Sequence, residues 1–202
     1  MTKSNRFSKL LLIFLVLVLS FGLVGCLESA DAKAAKAVDE TILALPETVA
    51  MTDEDAIEAA RSAYDALTEA QKALVKNLTT LTTKEADLRA LKDAASALAV
   101  DNLITALPAV VKLADENSIV AARSAYNALT EAQKALVKNL TALTTKENTL
   151  ASLKQDVASA LAVDNLIAAL PAVVKLSDEK DIVAARTAYD ALTAAQKNLV
   201  TK

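Results

Sequence analysis

The chain has 202 residues, of which 53% are hydrophobic, with two glycines, three prolines and no histidine or tryptophan. So little glycine and proline predicts an all-α fold. The formal net charge of −3 disfavours nucleic acid as a partner, because phosphate binding needs a basic surface. Since histidine is absent and Cys26 is the single cysteine, we expect no catalysis, no metal and no cofactor.

The first 25 residues have the three parts of a secretory signal peptide. Lys3, Arg6 and Lys9 precede an apolar run over residues 10–19, and small residues follow. Residues 10–24 are too few to span a bilayer as a helix, which needs roughly 20 apolar residues. We therefore predict that residues 1–25 are removed.

Leu23-Val24-Gly25-Cys26 resembles the lipobox of bacterial lipoproteins. In that family the peptide is cleaved before the cysteine, which then carries a thioether-linked diacylglycerol. The resemblance implies lipidation of Cys26 and an extracytoplasmic protein anchored to the bacterial cell membrane. The alternative is an ordinary signal peptide with a chance cysteine. Residues 26–33 then form the lipidated cysteine and a short tether, or the first turns of a helix.

A segment of 16 residues, 60–75, returns almost unchanged at 122–137 and at 185–200. Its arginines, Arg61, Arg123 and Arg186, are 62 and then 63 residues apart. A period of this size predicts a tandem array of small supersecondary units. We expect three-helix-type repeats of about 62 residues at 34–93, 94–156 and 157–202, which we call the first, second and third copies.

In the second copy, apolar residues at Val100, Leu103, Ile104 and Leu107 share one face of a first helix, which should end before Pro108. A second helix should open near Asp53, Asp115 and Asp178. A Thr-x-x-Gln capping box then predicts a short helix ending near Asn77 and Asn139. A Thr-x-x-Glu box at Thr82–Glu85 and at Thr144–Glu147 predicts one more helix, whose inward residues are Leu88, Leu91, Leu150 and Leu153.

No helix breaker separates this last helix from the next copy, so Thr83–Leu107 could be one long shared helix. The following junction has one residue more, which turns the next copy by about 100° if the helix is continuous. The third copy is incomplete, because Lys202 aligns with Asn77. We expect residues 178–202 to be the least stable part, and the chain to be a fragment of a longer protein or to borrow a partner's helix.

Two polar sets could suggest chemistry. Arg61, Tyr64 and Asp65 recur in each copy except for Asn127, and we predict a structural role with an Arg61–Asp65 ion pair along the helix. The acids at 53–58 lack the glycine and the ligand spacing of an EF-hand. Helix capping explains them better.

The motifs Ile-x-x-Leu-Pro and Ala-Arg-x-Ala-Tyr-x-Ala-Leu-Thr-x-Ala-Gln-Lys-x-Leu-Val resemble helical repeats of large surface proteins of Gram-positive bacteria, particularly clostridia and paenibacilli. The resemblance covers nearly all of residues 34–202. It implies a non-catalytic helical spacer or adhesion stalk, with a binding module that captures a host or envelope protein as the alternative. Large exposed apolar residues at equivalent positions would favour the binding module, and a uniformly polar surface the stalk.

Overall fold

The computed structural model describes residues 29–202, and over this range the chain forms nine α-helices and no strand. The all-α prediction is confirmed. Cys26 and the signal peptide lie outside the described residues, so their processing stays a prediction. Of the helices in residues 29–202, none combines the length and the apolar composition needed to cross a membrane.

The first four helices are α1 (Ala30–Leu43), α2 (Glu54–Asp65), α3 (Glu69–Lys72) and α4 (Leu78–Thr105). The next three are α5 (Glu116–Asn127), α6 (Glu131–Lys134) and α7 (Leu140–Ala168), and the last two are α8 (Glu179–Asp190) and α9 (Ala194–Lys197). Short 3₁₀ turns at Met51–Asp53, Leu113–Asp115 and Leu176–Asp178 precede α2, α5 and α8.

Side-chain caps explain where the first helices begin. The Ser29 hydroxyl accepts a hydrogen bond from the Ala32 amide at 3.2 Å, so α1 starts at Ala30 and residues 30–33 are helical. The Asp53 carboxylate accepts one from the Ala50 amide at 2.8 Å, which closes the 3₁₀ turn that leads into α2. Asp115 and Asp178 repeat this contact, so the predicted start of these helices is confirmed.

The Thr-x-x-Gln capping box is also confirmed. The Gln71 amide donates to the Thr68 hydroxyl at 3.3 Å, and the Thr68 amide donates to the Gln71 side chain at 3.0 Å. The same pairs recur at Thr130 and Thr193. The helix that follows is shorter than predicted, since it has four residues and ends at Lys72 rather than near Asn77.

The prediction that the Thr-x-x-Glu motif is a capping box is wrong. Helices α4 and α7 begin at Leu78 and Leu140, one turn earlier than predicted, so the threonines lie inside the helix. The hydroxyls of Thr82 and Thr83 each donate to the Thr79 carbonyl at 2.9 Å. The helix can start early because hydrogen bonds to an aspartate hold the segment before it. The glutamate of the box does not cap the helix and pairs with an arginine instead.

Helices α4 and α7 have 28 and 29 residues, and both run without a break through the predicted copy boundaries at 93 and 156, which stay predictions. The extra residue of the second junction lies within α7, which is one residue longer than α4. Leu150 and Ala160, both buried, are ten residues apart, so they point about 80° apart around the helix axis. The two halves of α7 therefore bury different faces.

The described residues divide into two compact units, one up to Glu85 and one from Ala86. The first buries apolar side chains from α1, α2 and the start of α4, namely Ala35, Val38, Ile42, Ile57, Ala60 and Leu81. The second has a core cluster from α4, α5 and α7 with the loop between α4 and α5, namely Val100, Ile104, Leu107, Val111, Ile119, Ala122, Leu143 and Leu150. Leu91, predicted to face inward, is exposed, whereas its equivalent Leu153 is partly buried against the second core.

The third copy buries its apolar residues less completely than the second. Ile182 is half-buried whereas Ile57 and Ile119 are buried, as expected. Val174 is 61% exposed, against 9% for its equivalent Val111. The expected exposure of Leu199 is not specific to this copy, since Leu74, Leu136 and Leu199 are 45%, 45% and 44% exposed.

Candidate functional site

The arginines of the first two copies have a partner that was not predicted. Arg61 donates through Nε and Nη2 to the two carboxylate oxygens of Glu85 at 2.6 and 2.7 Å, and it also forms the predicted ion pair with Asp65, at 3.9 Å. Arg123 pairs with Glu147 in the same bidentate way at 2.6 and 2.5 Å. The glutamates that were predicted to cap helices therefore tie α2 to α4 and α5 to α7.

In the third copy the arginine has the ion pair along its own helix. Arg186 donates through Nε to Asp190, one turn along the same helix, at 2.9 Å. Its side chain is 72% exposed, against 29% for Arg123. Ion pairs that lie on a helix surface stabilise by only about 0.3–0.5 kcal/mol, so this arginine contributes less than the other two.

Hydrogen bonds donated to glutamate are the main reason why the pKa values of Arg61 and Arg123 lie above the ordinary value for arginine. Partial burial acts in the opposite direction and is outweighed. Both guanidinium groups are therefore charged at any pH at which the protein is folded, and neither can act as a base.

Each tyrosine ring lies between two cations. The Arg61 guanidinium carbon is 5.3 Å from the Tyr64 ring centroid, and the Lys72 ammonium is 5.9 Å from it. Tyr126 and Tyr189 have the equivalent pairs of cations at 5.3 to 5.9 Å. Such contacts stabilise by about 0.5–1 kcal/mol at exposed sites. The tyrosine ring thus contacts cations from both the second helix and the short helix, and its structural role stays a prediction.

A buried aspartate in each copy was missed by the sequence analysis. Asp39 in α1 accepts hydrogen bonds from the Lys76 amide at 3.0 and 3.1 Å and from the Asn77 amide at 2.8 Å. Asp101 receives the amides of Lys138 and Asn139 at the same distances. This contact ends the segment after the short helix and lets the next long helix begin.

Asp164 holds the equivalent position in the third copy and accepts the amides of Thr201 and Lys202, at 2.9–3.1 Å, together with the Thr201 hydroxyl at 2.8 Å. Burial of this carboxylate by itself raises its pKa, but the hydrogen bonds from Thr201 and Lys202 outweigh burial. The pKa of Asp164 therefore lies below its ordinary value of 3.8. A lowered pKa in the folded state means that the ionised group stabilises the fold above that pH.

A second aspartate, eight residues before each buried one, fixes the capping glutamine. The side-chain amide of Gln71 donates to Asp31 at 3.0 Å, Gln133 donates to Asp93 at 2.8 Å, and Gln196 donates to Asp156 at 2.8 Å. The signal available in the sequence was the recurrence of both aspartates in all three copies, eight residues apart in a helix that is otherwise rich in alanine and apolar residues.

These polar sets are ties between elements, with each donor facing an acceptor, and none pairs a nucleophile with a base. The acids at 53–58 cap the 3₁₀ turn and begin α2. Across residues 29–202, no three acidic, histidine or cysteine side chains lie close enough to hold a metal ion. A groove of about 460 Å³ beside the loop at 109–111 is lined mainly by alanine, valine and threonine, with Lys146 as its single charged group.

A scan against protein-family models finds no match, and searches of curated proteins and of solved structures find no significant match.

The Arg123–Glu147 pair should be an energetic tie between α5 and α7. In a double-mutant cycle of Arg123→Met and Glu147→Gln, we expect a coupling energy of about 1 kcal/mol, because the pair is bidentate and half-buried. Native-state amide exchange in α5 and α7 would measure it. Arg186→Met is the matched control and should cost much less. Additive effects of the two substitutions would contradict this role.

Acid should abolish the contribution of Asp164. Its folded-state pKa is lowered, so its stabilising effect is complete above about pH 3.8 and is lost as pH falls through the folded value. The difference in amide protection of α9 between the wild type and Asp164→Asn should be constant above pH 3.8 and shrink below it. A difference that grows on acidification would contradict the lowered pKa.

Proposed function

We propose that this protein is a non-catalytic surface lipoprotein, anchored to the bacterial membrane through a diacylglycerol on Cys26. Its helical part is a tandem array of three-helix-type copies of about 62 residues. Support for the array comes from the ties described above, because the aspartate–amide, glutamine–aspartate and tyrosine–cation contacts recur in all three copies. Support for the anchor comes from the lipobox resemblance alone.

Two functions for such an array differ in what the surface must do. A spacer or adhesion stalk needs a stable, uniformly polar surface. A binding module needs an exposed face that a host or envelope protein can cover. The outward side of the first helix in each copy distinguishes them, because its residues differ between copies while the ties beneath it do not.

In the second copy the outward side of α4 carries Leu98 and Leu103, and in the third copy the outward side of α7 carries Leu161 and Leu166. All four are exposed, and we call them the leucine face. Exposed alanines lie next to them on the same side, namely Ala95, Ala99, Ala158 and Ala162. Contiguous exposed apolar surface is a mark of protein interaction sites.

The first copy has polar residues at the same positions. Lys36 and Thr41 stand where the second copy has Leu98 and Leu103. Two further exposed valines of the later copies, Val120 and Val183, correspond to Glu58. We therefore infer that the first copy, nearest the anchor, serves as a spacer and that the second and third copies bind protein. The leucine face is the observation that carries this proposal.

Membrane attachment is tested by Cys26→Ser. The wild type should take up radiolabelled palmitate and partition into detergent, and the variant should do neither, because two acyl chains suffice for stable anchoring. Wild-type protein without label, or a labelled variant, would show that the lipobox reading is wrong.

The binding role is tested by giving the later copies the residues of the first. The variant Leu98→Lys, Leu103→Thr, Leu161→Lys, Leu166→Thr should lose at least about tenfold in capture of its partner from envelope or serum fractions, because buried leucines contribute roughly 1.5–3 kcal/mol each. Amide protection of the core should not change, because all four residues are exposed. Identical capture profiles for variant and wild type would favour the simple stalk.

A further inference from the structure

A groove in the second copy lies between the loop at 109–111 and the start of α7, and it has a volume of about 460 Å³. Ala109, Val110 and Val111 form its loop side, where Val110 is 73% exposed and Val111 is buried. Residues 142, 145, 146 and 149 form the other side, and this spacing puts them on one face of the helix. They extend over about 10 Å at 1.5 Å per residue, so the groove has the size of a small-molecule site. It shares no residue with the leucine face.

Of the side chains that line this groove, all in the described part of the chain, Lys146 is the one that can donate a hydrogen bond to a ligand. The hydroxyls of Thr145 and Thr149 each donate to the carbonyl one helical turn before, at 2.9 Å. The Lys146 ammonium donates one N–H to the Pro108 carbonyl at 2.6 Å, which holds it at the loop end of the groove. An ammonium has three N–H groups, so two remain for another acceptor.

The first copy has more polar and more acidic residues at the equivalent positions. Val49, Thr83 and Lys84 are identical in type to Val111, Thr145 and Lys146. The other four differ, since the second copy has Ala109, Val110, Ala142 and Thr149 where the first has Glu47, Thr48, Thr80 and Asp87. Each of these differences makes the second groove less polar or removes an acid from it. The second copy therefore favours an anion with an apolar body, and the first copy disfavours it.

The surrounding sequence is otherwise nearly the same in both copies. Of 34 aligned positions in residues 59–92 and 121–154, six differ, at Asn127, Ala142, Asn148, Thr149, Ala151 and Ser152. Two of these six line the groove, whereas the lysine and the threonine beside it are kept. The two copies thus share the cation and differ in the walls around it.

We propose that this groove binds a fatty carboxylate, with the carboxylate on Lys146 and the hydrocarbon chain along the apolar lining. A single cation at one end suits a single anionic head group, and the lining contains no acid that would repel it. The chain lies along Ala142 and covers Val110, so apolar surface of both the ligand and the protein leaves water.

A peptide or a sugar fits this lining less well. Either would bring amides or hydroxyls into the groove, whereas the hydroxyl hydrogens of Thr145 and Thr149 are already donated. The backbone amides of residues 145, 146 and 149 are likewise paired within α7. Polar groups that lose water without gaining a partner weaken binding. A hydrocarbon chain has no such groups and needs only the apolar contact.

The probe is decanoate, titrated as a monomer into the purified full chain and followed by calorimetry and methyl NMR. We expect saturable one-to-one binding, with shifts of the methyl signals of Val110 and Ala142. Decanol has the same chain length without the charge. It should bind at least about tenfold more weakly, because a charge-assisted hydrogen bond is lost. Equal affinities for the two probes would overturn the proposal.

The double variant Ala142→Thr, Thr149→Asp gives α7 the residues of the first copy and should weaken decanoate binding at least about tenfold. Both positions are exposed, so amide protection of the core should not change. Lys146→Gln should remove the preference for decanoate over decanol, and unchanged decanol binding shows that the groove has kept its shape. Lys112→Gln replaces an exposed lysine next to the loop and is the matched control, which should leave both affinities unchanged.

The leucine-face variant described above should bind decanoate as the wild type does, so this test is independent of the proposed protein-binding role. Absence of saturable binding, or decanoate binding that survives the double variant, would contradict a site in the groove. Equal weakening by Lys112→Gln and Lys146→Gln would reduce the effect to general charge attraction and overturn the proposal. Phosphatidylglycerol vesicles that bind through Val110, without binding of monomeric decanoate, would overturn it by naming a lipid surface as the occupant.

Discussion

The structure depends on a buried carboxylate that accepts backbone amides from a segment about 37 residues away. Asp39, Asp101 and Asp164 lie on the core-facing side of the first helix of each copy and receive the two amides that follow the short helix. Without this contact those amides would lose a charged hydrogen-bond acceptor, which binds an amide more strongly than a neutral one does. The contact also determines where α4 and α7 can begin, and hence which side of each long helix faces the core.

Most local signals in the sequence predicted the structure correctly, whereas the contacts between distant segments were not predicted. The first-helix periodicity and the Thr-x-x-Gln box involve residues three or four apart, so the sequence contains the whole interaction. Glu85 fits a capping box equally well, but Arg61 offers it two hydrogen bonds from 24 residues away. A capping box contributes one neutral hydrogen bond and one charge-assisted one, so the bidentate ion pair wins. The partner of Glu85 cannot be identified from sequence spacing without knowing how the helices pack.

The buried aspartates, which the sequence analysis missed, also show that local sequence does not identify a distant partner. An acid in an alanine-rich helix is normally solvated, and nothing within one turn of Asp101 suggests that it is buried. Recurrence in all three copies marked it as constrained, although recurrence does not say by what. Two of the three copies place a polar amide or hydroxyl side chain beside the carboxylate as well, from Asn77 and Thr201. The carboxylate therefore binds two backbone amides in every copy, whereas its contacts with side chains differ between copies.

Because most of the polar groups that recur are used within each copy, they are not free to recognise another molecule. Variation between copies is instead found where no tie depends on it, as at Lys36, Leu98 and Leu161. The arginine of the third copy is the exception, since it recurs in sequence but is 72% exposed and pairs with Asp190 on its own helix. The same residue is thus half-buried in a contact between helices in two copies and exposed to solvent in the third. The contacts of a recurring residue therefore depend on the packing around it and not on the repeated motif alone.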